Sequence, residues 1–214
     1  MEHGEDPSKL SNVRRDPQRT SCDGYPLLEY LHQRNLPVTL ASLNYRLSPA
    51  ARHPDHQQDV ITALKYLVAT YGMKEFLLVG HSAGACLAFQ VGHVLGCKGI
   101  IGAEGIYDLP ELLEEYPEYR DIVEGAFGVD KVVWKEASPT NMVQHLSNST
   151  VQLIQSKEDE LLSHRQTDLM QSILQKASMT GRDIAWIHGT HDGAITNEEF
   201  YTTVHNFIEQ LLDL

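Results

Sequence analysis

The chain has 214 residues, enough to bury a sizeable core as a single domain, 1–214, with or without a lid. Its 29 acidic against 17 basic residues give a net charge of −12, which argues against nucleic acid and anionic membranes as partners. The three cysteines, Cys22, Cys86 and Cys97, lie in no metal-binding spacing, residues 1–20 are polar throughout, and no apolar run reaches the length of a membrane span. These features predict a cytoplasmic protein with Cys86 and Cys97 reduced in its core. The Asn148-Ser149-Thr150 sequon is discounted for want of a secretory signal.

Residues 1–20 carry no hydrophobic period and read as irregular. Leu27, Leu28, Leu31 and Leu36 space like a helix face that Pro37 ends. Val38 to Leu47 reads as a strand stopped by Ser48-Pro49. After His53-Pro54, the residues Val60, Ile61, Ala63, Leu64, Leu67 and Val68 keep a 3.6-residue period that Gly72 closes. An apolar strand from Phe76 then runs into Gly80-His81-Ser82-Ala83-Gly84, and a helical stretch follows from Ala85 to Leu95. Gly99 to Tyr107 is the next strand. Residues 108–145 are long, acidic and poorly periodic, and read as a lid or binding insertion carrying Tyr116, Tyr119, Phe127 and Trp134. A strand over 151–155, a helix over 164–177, a strand over 183–188 and a closing helix over 197–212 complete the chain. The alternation predicts an α/β domain with a mostly parallel sheet flanked by helices.

Strand, tight Gly-x-Ser-x-Gly turn and helix in that order form the context of a nucleophile elbow, so Ser82 is the candidate nucleophile. Gly80 and Gly84 are expected where a Cβ would strike the neighbouring strand or helix. A serine hydroxyl needs a base, and the base an orienting acid. In parallel sheets such groups sit beyond the carboxyl ends of strands. The strand over 151–155 is followed by Glu158-Asp159-Glu160, and the strand over 183–188 by His191. Asp159 is the favoured acid, with Glu158, Glu160 and, after the preceding strand, Asp108 as competitors. His191, in the loop, is favoured over His188 as base. The other histidines, His53 and His56 among them, read as surface or capping residues, and no metal cluster or cofactor is expected.

Five segments together resemble a known family: Asn44-Tyr45-Arg46-Leu47-Ser48-Pro49, Gly80–Gly84, Gly105-Ile106-Tyr107-Asp108-Leu109, Glu115-Tyr116-Pro117-Glu118-Tyr119 and Asp159-Glu160-Leu161-Leu162. They look like a fungal kynurenine formamidase (arylformamidase) of the α/β-hydrolase superfamily. The resemblance implies hydrolysis of N-formyl-L-kynurenine to L-kynurenine and formate, in tryptophan catabolism through kynurenine toward NAD. It places the triad on Ser82, Asp159 and His191, with the Ala83 N–H as an oxyanion donor, and it implies a homodimer. Tyr107 and Tyr116 are expected ring contacts for the substrate. The alternatives are a carboxylesterase for small aryl or acyl esters, or a catalytically impaired fragment.

The family carries a His-Gly-Gly-x-Trp segment at the end of a central strand before the residues matching Arg15-Asp16-Pro17; here Lys9 to Arg14 stand there, and His3-Gly4 lies too far upstream. The expectation is therefore an N-terminally truncated sheet lacking that strand, as from a shortened gene model or an isoform. Such a sheet leaves edges without ladder partners beside the Val38–Leu47 strand and the elbow strand. The loss of one oxyanion donor alone lowers rates by about 10²–10³.

Overall fold

The structure, a computed structural model, describes residues 24–146, 149–177 and 183–213. Cys22, Asn148 and residues 1–20, for which irregular structure is expected, lie outside the described residues. The chain forms two compact units, residues 1–43 and 44–214.

In the first unit, α1 (Gly24–Gln33) buries Leu27 and Leu31, the expected face. It stops because Asn35 takes a left-handed φ of 60° and the Leu36 N–H folds back to the Leu31 carbonyl at 3.2 Å. The strand expected over 38–47 does not form: these residues join no ladder and none is buried. An alternating apolar pattern makes a strand only where a neighbour supplies the hydrogen bonds. Among the described residues no strand pairs with this segment.

The second unit opens with α2 (Asp55–Tyr71), which buries Val60, Ile61 and Leu64 and ends at Gly72 in the left-handed region. Four parallel strands follow: β1 (Leu77–His81), β2 (Gly99–Ala103), β3 (Thr150–Ser156) and β4 (Ala185–Ile187), in the order β1-β2-β3-β4. The register pairs Gly80 with Gly102, Ala103 with Ile154 and Ser156 with Ile187. Helix α3 (Ala83–Leu95) packs on β1 and β2 and buries Cys86, Phe89 and Val91. β2 ends at Ala103, short of the expected Tyr107, because Glu104 turns the chain with a φ of 47°.

Residues 108–145, poorly periodic in sequence, hold three helices, α4 (Leu109–Glu115), α5 (Arg120–Phe127) and α6 (Lys131–Ala137), with one 3₁₀ turn (Pro117–Tyr119) between α4 and α5 and two more after α6. Helices of seven or eight residues span two turns, too few for a period to be legible. Asp108 caps α4 by accepting the Glu111 N–H at 3.0 Å, and Asp130 caps α6 by accepting the Val132 N–H at 2.8 Å. The three helices enclose their own core of Leu109, Leu112, Leu113, Val123 and Trp134, which Leu162 joins. Helix α7 (Arg165–Lys176) packs on β3, and α8 (Glu198–Leu212) on β3 and β4. Asn197 caps α8 by accepting the Phe200 N–H at 2.9 Å. Among the described residues no helix is long and apolar enough to cross a membrane.

Candidate active site

Ser82 sits between β1 and α3 with φ 54° and ψ −123°, a region that a residue bearing a Cβ rarely enters. Two backbone bonds hold the turn: the Ser82 N–H donates to the Ala103 carbonyl at 2.9 Å, and the Ile106 N–H to the Ser82 carbonyl at 3.3 Å. The segment after β2 therefore supports the elbow. Gly80 behaves as expected, since an added Cβ would overlap the Gly84 carbonyl and stand 2.7 Å from Ala85 Cα. Gly84 does not: an added Cβ there meets nothing within 4 Å. Its side of the elbow faces no strand among the described residues, because β1 pairs with β2 alone and Val79 is 43% exposed.

The acid and the base come together from adjacent loops. The loop after β3 brings Asp159 and the loop after β4 brings His191, whose Nδ1–H donates to Asp159 Oδ2 at 2.9 Å. Asp159 is held in turn, its Oδ1 accepting the N–H groups of Leu161 and Leu162 at 2.9 Å each. The three candidate acids of this loop divide the work. Glu160 accepts the backbone N–H of His191 at 2.9 Å, and Glu158 that of Gly189 at 3.0 Å, so both pin the histidine loop and neither touches the imidazole. Asp108 is the cap of α4 and a partner of Thr140. His188 is turned outward onto the Glu199 carboxylate, 3.2 Å away. Ser82 Oγ makes no hydrogen bond among the described residues; catalytic contacts of this kind are often long until substrate is bound.

Burial presses both members of the pair toward their neutral forms, and the pairing outweighs it. Asp159 is held below its ordinary pKa by the His191 hydrogen bond and by the Leu161 and Leu162 N–H groups. His191, 4% exposed, is raised above its ordinary 6.5 by Asp159, with smaller contributions from Glu104 and Asp192. A base tuned in this direction takes up a proton readily.

Two neighbours of His191 escape the sequence reading. His81 is not a surface residue: its ring lies 4.6 Å from that of His191, and its Nε2 is 3.0 Å from both Glu104 Oε2 and the His191 carbonyl. Both of these oxygens accept, so His81 Nε2 carries the hydrogen. Glu104, fully buried, stands 3.9 Å from His191 Nδ1. The legible signal for it was a lone carboxylate in an apolar strand segment, Gly99 to Ile106. Donor atoms of His81, Glu104 and His191 lie within 4.8 Å of one another, a metal-like cluster that the expectation of no metal overlooked. Both nitrogens face acceptors, so the group is a hydrogen-bond network as it stands.

Of the two expected aromatic contacts, Tyr107 is corrected. Tyr107 is fully buried, packs edge-on against Phe89 at 5.7 Å, and presents no ring to a substrate. Its ring fills the space that Gly105 leaves, where an added Cβ would stand 2.7 Å from Ala85 Cβ. Tyr116 stacks on Tyr119 at 5.5 Å, and its hydroxyl accepts the Ser163 N–H at 2.8 Å. A groove of about 680 Å³ lined by Glu111, Ser163, His164, Arg165, Asp168 and Leu169 includes none of Ser82, Asp159 and His191.

Comparison with known proteins identifies relatives of the chain. The chain matches the BD-FAE family model over residues 31–199. It is 34% identical to a kynurenine formamidase of Meyerozyma guilliermondii, over 93% of this chain and 82% of the relative. The chain belongs to the kynurenine formamidase family. A second family member, the kynurenine formamidase of Saccharomyces cerevisiae, is 29% identical over 75% of this chain and 71% of its own. The family's fold is also that of two solved esterases. A truncated carbohydrate esterase from gut microbiota superposes with a TM-score of 0.70 at 18% identity, covering 88% of this chain and 77% of its own. Carboxyl esterase 2 of Tuber melanosporum gives 0.67 at 16% identity, covering 87% and 70%. The fold is thus that of the α/β-hydrolases, and the protein is a hydrolase.

Proposed function

We propose that the protein is a serine hydrolase that cleaves N-formyl-L-kynurenine to L-kynurenine and formate, in the cytoplasm, on the route from tryptophan through kynurenine toward NAD. The observation that carries the reading is the 2.9 Å bond from His191 Nδ1–H to Asp159, placed in the loops next to the strained Ser82 elbow. With Nδ1 donating, Nε2 is left as the basic nitrogen. His191 Nε2 takes the Ser82 proton as Oγ attacks the formyl carbon. The Ala83 N–H, at the start of α3, donates to the developing oxyanion. The tetrahedral intermediate collapses as His191 returns its proton to the departing aryl amine. Water, deprotonated by the same histidine, then releases formate and regenerates Ser82. An aryl amine leaves more easily than an alkyl amine, which suits a site of esterase type.

Purified full-length chain is expected to convert N-formylkynurenine to kynurenine, and Ser82→Ala to abolish turnover. A chain whose Ser82 is labelled by a fluorophosphonate, yet leaves the formamide untouched, overturns the substrate. The full burial of Tyr107 favours a second reading, since a site without that ring contact also accommodates simple esters. A kcat/KM for p-nitrophenyl acetate above that for the formamide selects that carboxylesterase reading. Absence of both turnover and labelling identifies a catalytically impaired chain.

A further inference from the structure

We propose that Glu104 is a second acid for His191, a positioning residue that works beside Asp159 to stabilise the imidazolium formed during the reaction. The inference rests on the reading of Ser82 and His191 as nucleophile and base. Two neighbouring strands, β2 and β3, each send a carboxylate from the carboxyl end toward the same nitrogen. Asp159 Oδ2 lies 2.9 Å from His191 Nδ1, and Glu104 Oε2 lies 3.9 Å from it. The first is a hydrogen bond; the second is an ionic distance.

Glu104 is poorly explained as a structural residue. Its side chain is fully out of solvent, where a carboxyl group needs partners for both oxygens. Oε2 has His81; Oε1 is buried without a hydrogen-bond partner. Its backbone adds a left-handed φ of 47°, unfavourable for a residue with a side chain. An apolar residue would relieve the first burden and a glycine the second. Both features are accounted for by what the side chain faces. His81 Nε2–H is shared between Glu104 Oε2 and the His191 carbonyl, so the carboxyl is tied to the backbone of the base as well as facing its ring.

The charged and titratable groups around Glu104 are His81 from β1, Asp159 from the loop after β3, His191 from the loop after β4 and the Tyr107 hydroxyl, and His191 is also acted on by Asp192. Burial raises the Glu104 pKa, the Asp159 charge raises it further, and His81 and His191 oppose both. A positive charge on His191 therefore favours ionised Glu104, and ionised Glu104 favours that positive charge. No proton is transferred to or from Glu104. The Ser82 proton still passes to His191 Nε2 and on to the leaving amine.

The test uses the full chain with ¹⁵N-labelled histidine. Titration of the His191 resonances in wild type and E104Q is expected to show the His191 pKa lower by about 1 unit in the variant. The acid limb of Ser82 inactivation by a fluorophosphonate should move to lower pH with it. A packing role alone lowers the rate and leaves both unmoved, so an unchanged His191 pKa in folded E104Q overturns the proposal. If E104Q does not fold, E104D serves, because it keeps the charge and withdraws it by one methylene. A smaller fall in the His191 pKa then supports the proposal and no change overturns it. A second comparison sets D159N against D159N/E104Q: at least tenfold faster Ser82 labelling in the single variant is expected, and equal rates overturn it. If wild-type Ser82 does not react at all, the nucleophile reading falls, while the titration still decides whether Glu104 acts on the imidazole.

Discussion

β1 brings the nucleophile half of the site and β3, with β4 beside it, the acid–base half, and the two strands β1 and β3 are built differently. β3 lies between two strands, and six of its seven residues are buried. β1 has one ladder neighbour among the described residues, and only Leu78 and Gly80 of its five are buried. Beyond β3, Asp159 and His191 are fixed by a mesh of side-chain to backbone bonds, with Glu158 and Glu160 adding two more from the acid loop to the histidine loop. Beyond β1, the serine is set by a strained backbone and two bonds, one to the last residue of β2 and one to the segment after it. Orientation of the base is thus redundant, whereas orientation of the nucleophile depends on one strand pair.

That contrast can be broken most directly at its two reactive ends. Ser82→Ala is expected to lower kcat/KM by about 10⁶-fold, with the melting temperature unchanged within a degree or two, since alanine occupies the same backbone. A residual rate near wild type would remove Ser82 from the mechanism. Asp159→Asn should lose about 10²–10³-fold, short of the 10⁴ typical of a histidine served by one acid. Steady-state kinetics of the two variants on the same substrate measure the difference.

Stability gives the next test. Gly80→Ala forces a Cβ into the Gly84 carbonyl and is expected to destabilise by about 3 kcal/mol in urea unfolding. The His191–Asp159 pair makes a smaller, pH-dependent contribution. Asp159 titrates below its ordinary value, so its stabilisation is present above about pH 4 and is lost as pH falls through the lowered folded pKa. His191 titrates above 6.5, so its stabilisation is present below that pH and is lost as pH rises through the raised folded pKa. Activity requires neutral His191 and runs the opposite way. The acid limb of kcat/KM is therefore expected above pH 6.5, where the stability given by the pair is already declining. A limb centred below pH 6.5 contradicts the raised His191. Gly84→Ala has the smallest effect, a gain of about 0.5 kcal/mol from helix propensity, because nothing stands where its Cβ would go. A loss comparable to that of Gly80→Ala would show that this side of the elbow is covered after all.

The sequence made the histidine half of the site legible because each residue there obeys a local rule. Asp159 and His191 follow strands whose apolar runs are plain, and both lie just past the carboxyl ends. The helices over 55–71 and 198–212 were equally plain, since each runs for four turns or more and carries a periodic apolar face. What was not legible depends on neighbours distant in sequence. Val38 to Leu47 alternates like a strand but finds no ladder. Tyr107 reads as a substrate contact until Gly102, Gly105 and Phe89 are seen to enclose it. His81 and Glu104 are 23 residues apart and meet only because β1 and β2 end side by side.

Among the described residues β1 pairs on one side only, and this also bears on how the enzyme fails. A strand with one neighbour opens at lower free energy than one held on both sides. The elbow should therefore loosen in a local fluctuation while β3, with Asp159 and His191 behind it, keeps its amides protected from deuterium exchange. Inactivation by mild denaturant is then expected to precede the loss of far-ultraviolet circular dichroism, so a stored sample can look folded and yet have its serine out of line.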